Sequence, residues 1–64
     1  MNDLEKAKEA LKASGYELHR HGAKHDVYFN RKLGRMITLK RHDFDKSDLR
    51  YIEKEITANR KLGE

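Results

Sequence analysis

The stretch YELHRHGAKHDVYFNRKLGRMITLK, residues 16–40, decides the fold of this chain. Three runs within it alternate in polarity or are rich in β-forming residues, and they lie at 16–21, 25–30 and 35–40. Gly22-Ala23 predicts a two-residue turn after the first run, and residues 31–34 predict the next hairpin loop. The pattern therefore predicts three short antiparallel strands joined as a meander.

A helix is predicted on each side of this meander. Residues 3–14 place apolar side chains at helical spacing, namely Leu4, Ala7 and Leu11. Gly15 follows them as a signal for the end of a helix. Residues 46–58 carry a second apolar stripe, which consists of Leu49, Ile52 and Ile56. Asp45 or Ser47 is expected to cap the start of this second helix.

These elements predict one domain over residues 1–64, of the α+β class, in the order α-β-β-β-α. Because both helices have an apolar stripe, we expect both to pack on one face of the sheet, which leaves the other face open. The predicted core draws on all five elements: Leu4, Leu11, Tyr16, Leu18, Val27, Phe29, Ile37, Leu39, Leu49, Ile52 and Ile56.

The composition allows only a thin core. Leu, Ile, Val and Phe make up 13 of the 64 residues, so a partner or self-association would add stability, and we expect a monomer or a weak homodimer. The absence of cysteine excludes disulfides and thiolate zinc sites. No apolar run is long enough to span a membrane, and residues 1–5 lack the features of a signal peptide, so we expect a cytoplasmic protein.

Positive charge is concentrated in the middle third of the chain. Residues 19–41 have a net charge of +6, whereas the segments on either side each have a net charge of −1. The only acid in this segment is Asp26, and its bases are Arg20, Lys24, Arg31, Lys32, Arg35, Lys40 and Arg41. Three histidines, His19, His21 and His25, lie in the same segment. A cationic surface attracts phosphate and histidine transfers protons near neutral pH, so this combination indicates RNA as the partner.

Several short motifs resemble a known family when they are taken in order. A glycine and an aromatic, Gly15-Tyr16, end the first helix, and GAKHDVYF at 22–29 forms the second motif. The third strand with its basic end reads GRMITLKRH at 34–42, and the closing helix carries LRYI at 49–52. Residues 11–56 thus resemble the HicA family of bacterial toxins, which are messenger-RNA-cleaving components of type II toxin–antitoxin pairs.

The resemblance implies a fold like that of a double-stranded-RNA-binding domain and a protein partner, a HicB-like antitoxin, that neutralises the toxin. It also implies that His25 is the catalytic residue of a metal-independent endoribonuclease that cleaves mRNA and uses no cofactor. Three positions depart from the family pattern: Lys24 replaces a serine, Asp26 replaces a second histidine, and Lys40 replaces a proline.

The residues themselves suggest how such a site would work. Cleavage of RNA without a metal needs a base for the 2′-hydroxyl, an acid for the departing 5′-oxygen, and cations around the phosphate. We predict that His25 transfers protons and that His42 or His21 is a second proton shuttle. The predicted RNA- and phosphate-binding residues are the cations Lys24, Arg20, Arg35, Lys40 and Arg41.

Other interpretations remain open at this point. His25 has the strand parity of Val27 and Phe29, so it is also a candidate for packing at the sheet margin. His19 and His21 with His25 form an alternative metal site, although no cysteine is present and no fourth ligand is evident. The chain could also be a non-catalytic RNA-binding module of the same fold, or a small domain that binds an acidic protein.

Overall fold

The computed structural model describes residues 1–63, and it confirms the predicted α+β order of elements. These are α1 (Asp3–Ala13), β1 (Glu17–His21), β2 (His25–Asn30), β3 (Arg35–Lys40) and α2 (Lys46–Leu62). The three strands form one antiparallel sheet in the order β1-β2-β3, so β2 is central. Neither α1 nor α2 has the length and apolar character of a helix that crosses a bilayer.

Hydrogen bonds close both ends of α1. The Asn2 side chain caps the start by accepting a hydrogen bond from the Glu5 backbone N–H at 2.8 Å. At the other end Gly15 has a φ of 90°, and the Tyr16 N–H donates to the Leu11 carbonyl at 2.9 Å. This left-handed glycine with its backward hydrogen bond turns the chain sharply and brings Tyr16 into the core.

Helix α2 is four residues longer than the 46–58 that the sequence predicted. Its first turn is closed by a capping box between Asp45 and Asp48. Its last turn is basic, with Arg60 and Lys61 near the negative end of the helix dipole, which extends the helix beyond its apolar stripe. The Asn59 side chain also donates a hydrogen bond to the Tyr16 hydroxyl at 3.1 Å.

The core lies between both helices and one face of the sheet. Its buried side chains come from α1, the residue before β1, both later strands and α2: Ala7, Leu11, Tyr16, Tyr28, Ile37, Leu39 and Ile52. In the sheet register Tyr28 is opposite Ile37, so these inward side chains share one face. Leu4, Phe44, Leu49 and Ile56 pack around this core while only partly buried.

The predicted inward face of β2 was wrong. Asp26, Tyr28 and Asn30 point to the helices and are buried, whereas Val27 and Phe29 lie on the open face and are half-buried. The physical reason is that the buried Asn30 amide ties three segments together. Its Nδ2 donates to the Ser14 carbonyl and its Oδ1 accepts from the Leu33 N–H, both at 3.0 Å. The need of the buried Asn30 amide for hydrogen-bond partners, rather than the alternation of apolar residues, therefore determines which face of β2 points to the helices.

Strand β1 also departs from the predicted alternation. Leu18 pairs with Tyr28 and Arg20 pairs with Val27, so the register shifts between them and His19 forms a β-bulge. Consequently Leu18 and Arg20 face opposite sides of the sheet. Leu18 was predicted to be in the core, but it lies on an edge strand and is 53% exposed.

Candidate functional site

His25 is the first residue of β2 and is exposed on the open face of the sheet. It pairs with Lys40 at the end of β3. Both residues line a groove of about 280 Å³ between β3 and α2, together with Thr38, Phe44, Asp48, Tyr51 and Ile52. The imidazole makes no hydrogen bond or ion pair with the side chains of residues 1–63, and His25 is exposed, so a ligand can reach it. The interpretation of His25 as a packed residue at the sheet margin is therefore wrong.

The turn before His25 is held at both ends. The Gly22 N–H donates to the His25 carbonyl at 3.0 Å, so the two turn residues are Ala23 and Lys24 rather than the predicted Gly22 and Ala23. Arg41, just beyond β3, reaches both of them. Its Nη2 donates to the Ala23 carbonyl at 3.0 Å, and its backbone N–H donates to the Lys24 carbonyl at 3.3 Å. Lys24 and His25 are thus presented side by side next to the end of β3.

A methyl group at Gly22 should disturb this turn. A Cβ at that position would lie 2.5 Å from the His25 carbonyl oxygen, which is backbone and cannot rotate away. We therefore expect Gly22→Ala to lower the free energy of unfolding by about 1–3 kcal/mol, as overpacking does elsewhere. Urea denaturation followed by circular dichroism measures this. The control is Gly34→Asn, because a Cβ at Gly34 meets open space and asparagine tolerates its φ of 66°. Equal stability of Gly22→Ala and wild type would contradict the prediction.

A cluster of three side chains, which we call the Asp26 cluster, lies on the helix side of the same hairpin. It consists of Asp26, His21 and Arg41. Asp26 is 5% exposed, and its Oδ1 lies 2.7 Å from His21 Nδ1 and 3.6 Å from Arg41 Nη1. Arg41 Nη1 also contacts His21 Nε2 directly. The bulge at His19 makes this possible, because it places His21 opposite Asp26 in the register.

Lys40, the last residue of β3, is tied to the start of α2. Its Nζ donates to the Asp43 carbonyl at 3.1 Å and lies 3.4 Å from Asp48 Oδ2. The hydrogen bond from the Asp45 backbone N–H lowers the pKa of the Asp48 carboxyl below its usual 3.8; Lys40 adds to this effect and desolvation opposes it. The ammonium group of Lys40 is therefore shared with the cap of α2 rather than presented alone to a ligand.

This cap should make the start of α2 sensitive to acid. Because the pKa of Asp48 is lowered in the folded state, its stabilisation is present above the unfolded value of 3.8 and is lost as pH falls through the folded value. We expect the protection factors of the amides in the first turn of α2, calculated against the intrinsic exchange rate at each pH, to fall when pH is lowered from about 5 to about 3. Asp48→Asn should remove most of that acid response, whereas Glu9→Gln on α1 should leave it. An unchanged response in Asp48→Asn would argue against Asp48 as its source.

The structure brings some of the predicted phosphate-binding cations to His25 and separates others. Lys24 is exposed beside His25, and Arg20 is exposed on the open face, where it pairs with Val27. Arg41 is committed to the Asp26 cluster, as Lys40 is to Asp48. Arg35 pairs with Asn30 at the opposite end of the sheet, about 17 Å away at roughly 3.4 Å per residue.

The histidines other than His25 have separate surroundings. The His19 ring packs against Phe29 with centroids 5.7 Å apart, and His21 belongs to the Asp26 cluster. His42 is exposed just after Arg41, at the same end of the sheet as His25. Within residues 1–63 no three His, Asp or Glu side chains form a group that could hold a metal ion, so the alternative site of His19, His21 and His25 does not assemble.

Sequence reasoning missed the Asp26 cluster. The available signal was that Asp26 is the only acid in the basic segment 19–41. Comparison with known proteins adds no family to this description: no family model, curated protein or solved structure matches the chain.

Proposed function

We propose that this protein is a metal-independent endoribonuclease, with His25 as the proton-transfer group and RNA phosphates held by nearby cations. The observation that carries the proposal is the exposed imidazole of His25, beside Lys24 and above a groove at the basic end of the sheet. An accessible histidine close to fixed positive charge has the two properties that metal-free RNA cleavage needs. The motif resemblance to HicA toxins supports mRNA as the substrate.

The proposed reaction is an internal transesterification. His25 takes the proton of a ribose 2′-hydroxyl, and the 2′-oxygen forms a bond to phosphorus. The bond from phosphorus to the 5′-oxygen breaks, and that oxygen receives a proton from a second group. The products are a 2′,3′-cyclic phosphate and a 5′-hydroxyl. His42 fits the second role better than His21, because His21 lies on the helix side of the hairpin with Nε2 in contact with Arg41.

In the cell this activity is proposed to be that of a type II toxin in the cytoplasm, which inhibits translation by cleaving mRNA. A HicB-like antitoxin would neutralise it by covering His25 and the basic end of the sheet. Net positive charge at that end favours an acidic partner surface, because complementary charge speeds association. The toxin itself is proposed to act as a monomer or weak homodimer.

The test is a cleavage assay on end-labelled single-stranded RNA in the presence of EDTA. We expect cuts that leave 2′,3′-cyclic phosphate ends, which are identified by their resistance to a phosphatase that removes 3′-phosphate monoesters. Cleavage that depends on an added divalent metal, or that leaves 3′-hydroxyl ends, would refute the proposed chemistry.

A non-catalytic RNA-binding module is the second candidate. It is favoured by one observation: no side chain within residues 1–63 hydrogen-bonds His25 to orient its ring, whereas catalytic bases are usually oriented by a partner. Both candidates predict that affinity falls with salt, with a slope of roughly −0.7 per phosphate contact for a single strand. They differ in that the module binds RNA and never cuts it.

A further inference from the structure

Asp26 is an unusual residue for its position. Its carboxylate faces the helices from the central strand and is 5% exposed, although burial of a charge is unfavourable unless the charge is paired. Within residues 1–63 its Oδ1 accepts no well-aligned hydrogen bond, and its close neighbours are His21 Nδ1 at 2.7 Å and Arg41 Nη1 at 3.6 Å. Burial raises the pKa of the Tyr28 hydroxyl, and the negative charge of Asp26 raises it further by a smaller amount.

His21 lies between the two charged members of the Asp26 cluster. Its Nδ1 lies 2.7 Å from Asp26 Oδ1, and its Nε2 contacts Arg41 Nη1. The ring therefore bridges the buried carboxylate and the half-buried guanidinium.

Through Arg41 the cluster reaches the turn that carries the proposed catalytic residue. Arg41 donates from Nη2 to the Ala23 carbonyl and from its backbone N–H to the Lys24 carbonyl. Arg41 thus contacts Asp26 and His21 through Nη1, while its Nη2 and its backbone N–H bind the carbonyl groups of the turn. The lone acid of the basic segment and the position of His25 are linked by this chain of contacts.

We propose that Asp26 and Arg41 are positioning residues, and that His21 joins them into a support that fixes the turn presenting Lys24 and His25. Its effect on cleavage rests on the proposed function, but the support itself is a property of the protein without RNA.

The first test is nuclear magnetic resonance of the free protein. We expect the Arg41 guanidinium protons to exchange with solvent more slowly than those of Arg35, which is exposed and serves as the internal control. Asp26→Asn should speed the exchange of the Arg41 protons, because it removes the charge beside Arg41 Nη1. An Arg41 no more protected than Arg35 in the wild-type protein would overturn the proposal.

The second test compares Asp26→Asn with Asp43→Asn, since Asp43 is an exposed aspartate outside the cluster. Asparagine keeps the shape of Asp26 but removes the charge that faces His21 and Arg41, so kcat should fall about tenfold or more with KM within about twofold. Asp43→Asn should match wild type. Equal kcat in all three proteins would overturn the proposal.

The third test uses Arg41→Gln, a change at a half-buried side chain that leaves the Asp26 carboxylate in place. A positioning role predicts a lower kcat with an unchanged salt slope of RNA binding. A direct phosphate contact predicts that the slope becomes shallower by roughly 0.7, and that result would overturn the assignment. If wild-type protein does not cut RNA at all, the proposed function fails while the magnetic resonance test still decides whether the support exists.

Discussion

Replacement of His25 by alanine should lower the rate of RNA cleavage by about 10²–10⁴-fold, the usual contribution of a general acid or base. The ring is exposed and makes no hydrogen bond with the side chains of residues 1–63, so its removal leaves no cavity and no unpaired group. The melting temperature and the dissociation constant for RNA should therefore stay close to wild type. Single-turnover cleavage, fluorescence anisotropy and a thermal melt measure the three quantities on one preparation.

The matched control for His25→Ala is His19→Ala. Both residues are exposed histidines in the basic segment, but His19 packs on Phe29 at the bulge rather than lining the groove. Its replacement should change the cleavage rate by less than about threefold, well below the effect expected of a proton-transfer group. Unchanged cleavage in His25→Ala would remove His25 from the mechanism. Binding without cleavage in the wild-type protein would instead favour the RNA-binding module.

Leu39→Ala should leave the protein largely unfolded. Leu39 is 0% exposed, lies in β3 and packs in the core between the sheet and the helices. Leucine-to-alanine changes at such sites lower the free energy of unfolding by about 2–5 kcal/mol, because they remove buried methyl groups and leave a cavity. A core of this size rarely supplies more than about 3–5 kcal/mol in total, so the loss is comparable with the whole stability.

Leu18→Ala provides the control for Leu39→Ala, because it makes the same chemical change at a position that is 53% exposed. We expect its free energy of unfolding to stay within about 0.5 kcal/mol of wild type, as surface substitutions generally do. Urea titrations monitored by circular dichroism compare the three proteins. A cooperative Leu39→Ala transition at the wild-type midpoint would contradict the assignment of Leu39 to the core.

Much of the fold could be predicted because local signals agree with one another. Alternation in β3, the positive-φ glycines at 15 and 34, and the Asp45 cap all specify elements where the structure has them. The orientation of β2 could not be predicted, since an aromatic and a polar residue lie on each of its faces. Tertiary contacts decide between them: Asn30 reaches Ser14 and Leu33 only when it points to the helices.

The candidate site was predictable only in part. The turn glycine Gly22 and the basic segment locate His25 and Lys24, because these are local features of the chain. The Asp26 cluster depends on a bulge at His19, which no glycine marks, so simple alternation places His21 on the wrong face. The distance between Arg35 and His25 follows from the pairing register of β2 and β3, and the clustering of basic residues along the sequence does not reveal that register.

The irregularity at His19 also affects how this small sheet meets other chains. As an outer strand, β1 offers backbone N–H and C=O groups that another extended chain could pair with, which is a common route to aggregation. A bulge breaks the even spacing of those groups and increases the local twist. A strand of another molecule can therefore form only a short series of hydrogen bonds with β1. The same residue shift that turns His21 toward Asp26 therefore helps to keep a thinly packed protein dispersed at high concentration.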